Sequence, residues 1–162
     1  TIKQVQRDNA ETTLIAVVAA MNIGAAIASS PMADINRIGP ICVVCDFGNN
    51  NGLLVGPSIP DWHTRPASEL TARVFVDDAQ VGQATAETVE GGLLQSLRFL
   101  IELSAQRGVT LHAGSYVSCG ALTGIHDVTT ASKAHVDFGA FGAFDVRFEA
   151  VGADAHVDSV IG

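Results

Sequence analysis

The most regular hydrophobic pattern in the chain falls between residues 93 and 107. Apolar side chains recur there at helical spacing, and polar side chains fill the intervening positions. The apolar set is Leu93, Leu94, Leu97, Leu100, Ile101 and Leu103, and the polar set is Arg98, Glu102 and Gln106. Gly108 can adopt the left-handed conformation that closes a helix. The pattern therefore predicts one central amphipathic helix that docks through its apolar face.

Alternating patterns predict an antiparallel hairpin on each side of this helix. The first hairpin joins residues 69–76 to residues 81–89 through the turn Asp77-Asp78-Ala79-Gln80. The second joins residues 134–138 to residues 141–151 through a glycine turn. In its returning strand polar residues alternate with apolar ones, so we expect one face of that strand to be solvated.

Shorter apolar runs predict the remaining elements. Residues 41–45, 53–56 and 115–119 are expected to be strands, and residues 32–40 a loop. The alanine-rich run 12–28 is apolar nearly all round and predicts a buried N-terminal helix. Seven or eight strands with two helices predict an α+β, mostly β fold, a mixed β-roll or sandwich with the central helix packed across it.

Length and composition add three expectations. The 162 residues predict a single domain with a helical lead-in (1–40), a β-roll core (41–151) and a tail (152–162). Charged residues make up 16% of the chain, against roughly a quarter in average proteins, so some apolar surface is expected to cover a subunit interface. The net charge of -8 makes nucleic acid a poor partner.

The three cysteines do not suggest a disulfide framework. Their odd number and apolar neighbours fit a reducing cytoplasm. Cys42 and Cys45 form a CxxC, yet in the predicted strand they would point to opposite faces, so buried structural thiols are favoured over metal or redox use. The apolar run 14–28 falls short of the roughly 20 residues that span a bilayer, which predicts no membrane segment.

Two stretches have the chemistry of a pocket wall. Residues 46–52 are rich in Asn and Gly, for which a plain loop is favoured over a ligand-binding loop. The predicted strand 115–119 ends beside glycine, which lets a ligand approach the backbone closely. The candidate substrate-binding residues are Asn50, Asn51, Ser118, Cys119 and Gly120.

The candidate catalytic residues are Cys119 and His126. His126 precedes a carboxylate, Asp127, that could orient its ring. As a nucleophile Cys119 would need a pKa lowered by a nearby imidazole, from His112 or His126. The alternative is that Cys119 is simply a small buried residue, and this interpretation is favoured.

The order of several segments is similar to that of a known family. These segments are residues 51–56 (NGLLVG), 81–86 (VGQATA), 91–93 (GGL) and 111–121 (LHAGSYVSCGA). Between residues 41 and 149 the chain resembles the C-terminal portion of the 2-keto-4-pentenoate hydratases. With the 4-oxalocrotonate decarboxylases, these belong to the fumarylacetoacetate hydrolase superfamily.

The resemblance implies an oligomeric lyase of aromatic catabolism. It implies a mixed β-roll and a pocket in which Mg or Mn holds the 2-oxo acid end of the substrate. The cation would act there as a Lewis acid that stabilises an enolate. Such a cation needs hard oxygen ligands, mainly carboxylates.

The sequence departs from the family at the residues that would hold this cation. The family's Glu-x-Glu lies upstream of the matching part, and this chain contains no Glu-x-Glu. A further glutamate of the family aligns with Ala26 or Ile27 of this chain. The family's Gly-Asp aligns with Gly114-Ser115, and the family's Thr-Gly aligns with Cys119-Gly120. We therefore expect no metal ligands and no cofactor on this chain alone, and Mg or Mn only if a partner supplies carboxylates.

Two functions remain open from the sequence. The favoured one is a shortened, non-catalytic or pocket-completing subunit, in a homo-oligomer or with a full-length hydratase-like relative. The other is an enzyme of the hydratase, decarboxylase or isomerase-type lyase kind, acting on a small 2-oxo acid or lactone. Its metal-free chemistry would fall to Cys119, Ser118, His126 or Asp46.

Overall fold

The computed structural model describes residues 11–150, with side chains from Leu14 onward. Predictions for residues 1–10 and 152–162 lie outside this part of the chain. The elements in chain order are α1 (Glu11–Val17), β1 (Asn22–Ala28), α2 (Ile35–Ile38), α3 (Pro40–Cys45), β2 (Asn50–Ser58), β3 (Thr71–Val76), β4 (Ala79–Thr85), α4 (Leu93–Gln106), β5 (Lys133–Asp137) and β6 (Ala143–Arg147). Short 3-10 turns join several of them.

The strands form two antiparallel sheets. One contains β1 and β2, and the other has the order β4-β3-β5-β6. In the larger sheet Val74 lies opposite Val136, and Val136 lies opposite Phe144. Ala72, Ala134 and Val136 are buried on this face, whereas Lys133, His135 and Asp145 are exposed. The α+β class with antiparallel sheets is thus confirmed.

Two aspartates shape the first hairpin. Asp77 and Asp78 both have positive φ, 47° and 67°, as a two-residue hairpin turn requires. The Asp77 carboxylate accepts hydrogen bonds from the Ser132 hydroxyl at 3.1 Å and from the Lys133 backbone N–H at 2.9 Å. The turn of the β3–β4 hairpin is thereby tied to the start of β5.

The central helix is confirmed as α4. Gly108 has φ +67°. The Val109 N–H donates to the Ser104 carbonyl at 2.8 Å, and the Gly108 N–H donates to the Ala105 carbonyl at 3.3 Å. This is the Schellman arrangement, which satisfies the last carbonyls of a helix.

The predicted N-terminal helix over residues 12–28 is wrong in its second half. Helix α1 ends at Val17, and β1 follows from Asn22. Ile23 is only 1% exposed, and a Cβ on Gly24 would lie 2.7 Å from the Leu54 carbonyl oxygen. Pairing with β2 therefore overrides the helical preference of the alanines, and glycine permits the close approach of the two strands.

The run 41–45 is helix α3, and not the predicted central strand. Pro40 occupies the first turn, where its fixed φ suits a helix and its missing N–H costs nothing. Ile41 and Val44 are 80% and 76% exposed, so this apolar run is not buried as a central strand would be.

Three further predictions need correction. Residues 115–119 are not a strand, because the backbone from 109 to 132 forms only turns and irregular structure. The predicted loop 32–40 contains α2. The predicted strand 53–56 is longer and runs from Asn50 to Ser58 as β2. Among the described helices, none has the length and apolar character needed to cross a bilayer.

Candidate functional site

The loop that carries Ser118, Cys119 and Gly120 has no regular secondary structure. Ser118 is exposed and Cys119 is partly buried. Gly120 has φ +111°, a conformation that other residues rarely adopt. A Cβ added to Gly120 would meet no atom within 4 Å, and the role of this loop as a pocket wall stays a prediction.

Burial raises the pKa of the Cys119 thiol. Desolvation disfavours the thiolate, so the group stays protonated at neutral pH. The thiolate is the reactive nucleophile, and a raised pKa makes Cys119 less reactive. This environment favours the interpretation of Cys119 as a small, partly buried residue.

His126 packs against the edge strand β4. A Cβ on Gly82 would lie 2.6 Å from the His126 Nε2 atom and 3.0 Å from the Thr123 Cβ. The same Nε2 lies 3.3 Å from the Thr123 hydroxyl. Glycine at position 82 thus makes room for the imidazole, and Thr123 orients it.

The candidate catalytic residues share one loop, and no hydrogen bond couples them in the described chain. Within residues 14–150 no hydrogen bond joins the Cys119 thiol to His112 or His126, and none joins His126 to Asp127. The arrangement of thiol, imidazole and carboxylate that nucleophilic catalysis needs is not assembled in this part of the chain. The catalytic roles of Cys119 and His126 stay predictions.

The Asn-rich loop leads into β2. Asn50 and Asn51 are exposed, and Asn50 Oδ1 accepts a hydrogen bond from the Gly52 N–H at 3.2 Å. No hydrogen bond in the described region joins residues 49–51 to residues 118–120. The structure therefore does not link the two predicted pocket segments directly.

Asn49 is a candidate site residue that the sequence interpretation missed. Its φ is +59°, and its Oδ1 atom is buried without a hydrogen-bond partner in the described chain. Buried polar atoms in folded proteins nearly always have a partner, so this oxygen is suited to a donor from outside the described residues. The only sequence signal was its position in a run of asparagines after Gly48.

The described residues do not fit a hard divalent cation. No group of three His, Cys, Asp or Glu side chains converges in the part of the chain that the structure covers. Six carboxylates there have other partners: Asp34 with Arg37, Glu69 with Arg65, Asp137 with Arg73, Glu102 with Arg98, Asp145 with His135, and Asp77 with Ser132 and Lys133. Mg and Ca require several free oxygen ligands around one point.

Strand β2 and the turn before it carry exposed apolar side chains. In β2 the consecutive residues Leu53, Leu54 and Val55 are 39%, 37% and 43% exposed. Because neighbouring residues of a strand point to opposite faces, both faces of β2 carry partly exposed apolar side chains. Phe47, just before this strand, is 88% exposed. We call Phe47, Leu53, Leu54 and Val55 the β2 surface.

Comparison with solved structures finds this fold in two structures of one enzyme. The chain is similar to 4-oxalocrotonate decarboxylase from Pseudomonas putida G7 complexed with calcium and acetate, with a TM-score of 0.67 and 21% identity over 83% of this chain and 51% of that one. The same enzyme complexed with magnesium and adipate matches with a TM-score of 0.61 and 24% identity, over 68% of this chain and 42% of that one.

These matches show that the chain has the fold of this decarboxylase, in agreement with the resemblance seen in the sequence. The chain spans about half the length of the solved structures it matches. No family model matches the sequence, and no curated protein matches it.

Proposed function

We propose that this chain forms one part of a decarboxylase-like or hydratase-like lyase and completes a pocket for a small 2-oxo acid. In this proposal a second polypeptide carries the carboxylates that hold a divalent cation. The observation that supports it most directly is the exposure of the apolar side chains of the β2 surface. A long, apolar and uncharged outer strand is a surface that proteins normally cover.

The charge distribution agrees with this assignment. The six paired carboxylates contribute to ion pairs and turns, and the described residues converge on no cation site. The solved relatives were complexed with calcium or magnesium, so a protein of this fold can hold such an ion. We therefore assign the ligands of any cation to the partner, and the loop residues 118–120 to the pocket wall.

The competing proposal is an enzyme that works without metal. Its support is the loop that holds Cys119 and His126 beside glycines, where a small oxo acid could approach the backbone. Burial raises the pKa of Cys119 and so disfavours the thiolate that would act as the nucleophile. We therefore place this function second.

The two proposals differ in what the purified chain does alone. We would measure decarboxylation of 4-oxalocrotonate and hydration of 2-keto-4-pentenoate, each with Mg and with a chelator in excess. The subunit proposal expects no turnover in either condition, and Mg-dependent turnover after co-purification with a partner that contains a Glu-x-Glu pair. In that complex Cys119→Ala should retain nearly full activity.

Chelator-resistant turnover by the isolated chain, lost in Cys119→Ala or His126→Ala, would refute the subunit proposal. An Mg-dependent activity of the isolated chain would refute both proposals. The matched control for loss of fold is Cys45→Ala, which changes an exposed thiol outside the proposed pocket.

A further inference from the structure

Helix α3 places the two cysteines of the CxxC on one side of the chain. In a strand Cys42 and Cys45 would point to opposite faces, but α3 runs from Pro40 to Cys45. Residues three apart on a helix are neighbours on its surface. Helical geometry puts their Cα atoms about 5 Å apart, inside the range of roughly 4.4–6.8 Å seen in disulfides.

Both thiols are accessible to small reagents. Cys45 is exposed and Cys42 is partly exposed. Ile41 and Val44, which flank them in the helix, are 80% and 76% exposed, so α3 lies at the surface over its whole length. These are therefore not the buried structural thiols that the predicted strand implied.

The segment can also make the movement that a disulfide requires. Cβ atoms three residues apart on a helix are about 5–6 Å apart, and a disulfide needs roughly 3.5–4.5 Å. The helix has 6 residues and ends at Cys45. Beyond it the chain leaves the helix, since Phe47, Gly48 and Asn49 all have positive φ. Bringing the two sulfur atoms together therefore changes only the last turn of a short helix.

We propose that Cys42 and Cys45 form a redox-active dithiol that small disulfides such as oxidised glutathione convert reversibly to an internal disulfide. The deprotonated Cys45 sulfur attacks one sulfur of oxidised glutathione, the S–S bond of the oxidant breaks, and one glutathione leaves and takes up the proton. Cys42 then loses its proton and attacks the Cys45 sulfur, which expels the second glutathione. The two protein thiols are oxidised by two electrons, and one glutathione disulfide is reduced to two thiols.

The position of the dithiol gives this oxidation a structural consequence. The Asp46 N–H donates to the Cys42 carbonyl at 3.0 Å, and the Asn49 N–H donates to the Asp46 carbonyl at 2.9 Å. These bonds connect the last turn of α3 to Asn49, whose side-chain oxygen is buried and unpartnered in the described chain. Closing the disulfide strains the first bond and so alters the loop that leads into β2. In a reducing compartment such a bond acts as a transient sensor of oxidants.

The test is a glutathione titration of the purified full chain. After quenching and denaturation, free thiols should fall from three to one as the buffer becomes oxidising. The peptide that contains Cys42 and Cys45 should lose the mass of two hydrogen atoms, and dithiothreitol should restore it. The Cys119→Ser chain should form the same bond, and Cys42→Ser or Cys45→Ser should keep one glutathione on the remaining cysteine.

Three results would overturn the proposal. They are three free thiols at every glutathione ratio, stable glutathione adducts without an internal bond, and a bond that involves Cys119 or a second chain. Hydrogen exchange tests the coupling to the loop. Amides of residues 46–51 should exchange several-fold faster after oxidation in the natural chain but not in Cys42→Ser, and amides of α4 should be unchanged in both. Equal exchange in the oxidised and reduced chains would refute the coupling.

Discussion

His126 lies directly over Gly82, so close that a Cβ at position 82 would be 2.6 Å from the imidazole Nε2. The contact joins the irregular loop after α4 to strand β4 and holds the imidazole of the candidate catalytic residue His126. The loop has little other regular structure to hold it in the described chain. The position of His126 therefore depends on residue 82 being a glycine, which has no Cβ.

This contact predicts non-additive effects on stability. Gly82→Ala should lower the free energy of unfolding by about 1–3 kcal/mol, the usual effect of overpacking. His126→Ala removes the clashing ring, so the double variant should be more stable than the sum of the single changes predicts. Urea unfolding of the four chains gives the coupling, and strict additivity would show that the two residues do not touch.

The close approach of Gly24 to β2 predicts that Gly24→Ala lowers the stability of the protein, whereas the same change in a helix would raise it. In a helix Gly24→Ala would stabilise the protein by about 1 kcal/mol. In β1 the new methyl group would lie 2.7 Å from the Leu54 carbonyl oxygen, so we expect destabilisation by about 1–3 kcal/mol. Ala26→Val is the matched control, because a β-branched residue is favoured in a strand and disfavoured in a helix. Thermal unfolding of both variants distinguishes the two structures.

Local signals were sufficient for α4 and for the first hairpin. The helix has its own period and its own glycine end, and the hairpin has two aspartates that tolerate positive φ. Both elements are specified by residues adjacent in sequence. For this reason the pattern located them without knowledge of the rest of the fold.

The N-terminal half was predicted less well because its pattern is apolar without a period. Residues 22–28 become a strand only through pairing with β2, and the side chain of Asn22 bonds to the Gly56 carbonyl at 2.9 Å across 34 positions of sequence. A local pattern cannot report such a distant partner. Helix α3 was mistaken for a buried strand because composition does not show that Ile41 and Val44 are exposed.

The candidate site was predicted only as a set of residue types. The loop 109–131 has no hydrophobic period, so the sequence could not show that His126 packs on Gly82 or that no histidine of the described residues bonds to Cys119. The unpartnered oxygen of Asn49 depends on a left-handed backbone and on burial, both of which are tertiary properties.

The two turn aspartates provide a matched pair for measuring one hydrogen-bond network. Both have positive φ, yet only the Asp77 carboxylate accepts bonds from Ser132 and Lys133. Asp77→Ala and Asp78→Ala should both lower the free energy of unfolding, because alanine is strained at positive φ. Asp77→Ala should cost about 1–2 kcal/mol more, the value of bonds to a partly exposed charged acceptor. Equal unfolding free energies would show that these bonds do not stabilise the hairpin.

The β2 surface predicts how the isolated chain associates, on the proposal that a second polypeptide covers it. We expect concentration-dependent self-association in light scattering, because the exposed strand carries no charge to oppose it. Leu54→Lys should weaken association at least about tenfold, since burying a lysine costs more than about 1.4 kcal/mol. Val81→Lys is the control, because Val81 is 41% exposed on the outer strand of the other sheet. Equal effects of the two changes would argue against the β2 surface as the interface.

Cys119 predicts a loss of stability at alkaline pH. Its ordinary pKa is 9.0, and burial raises the pKa of this thiol in the folded protein. The folded state therefore keeps the proton at pH values where the unfolded chain has lost it. The resulting contribution to stability is fully present below pH 9.0 and disappears as the pH rises through the higher pKa of the folded state. Between about pH 8 and about pH 10 the free energy of unfolding should fall more steeply in the natural chain than in Cys119→Ser or Cys119→Ala, which have no thiol at this position.

Urea unfolding across this range measures the slopes, and all other titrating groups are common to the three chains. Parallel slopes would show that the thiol is solvated, and a slope that is steeper in the variants would show that its pKa is lowered, as a nucleophile requires.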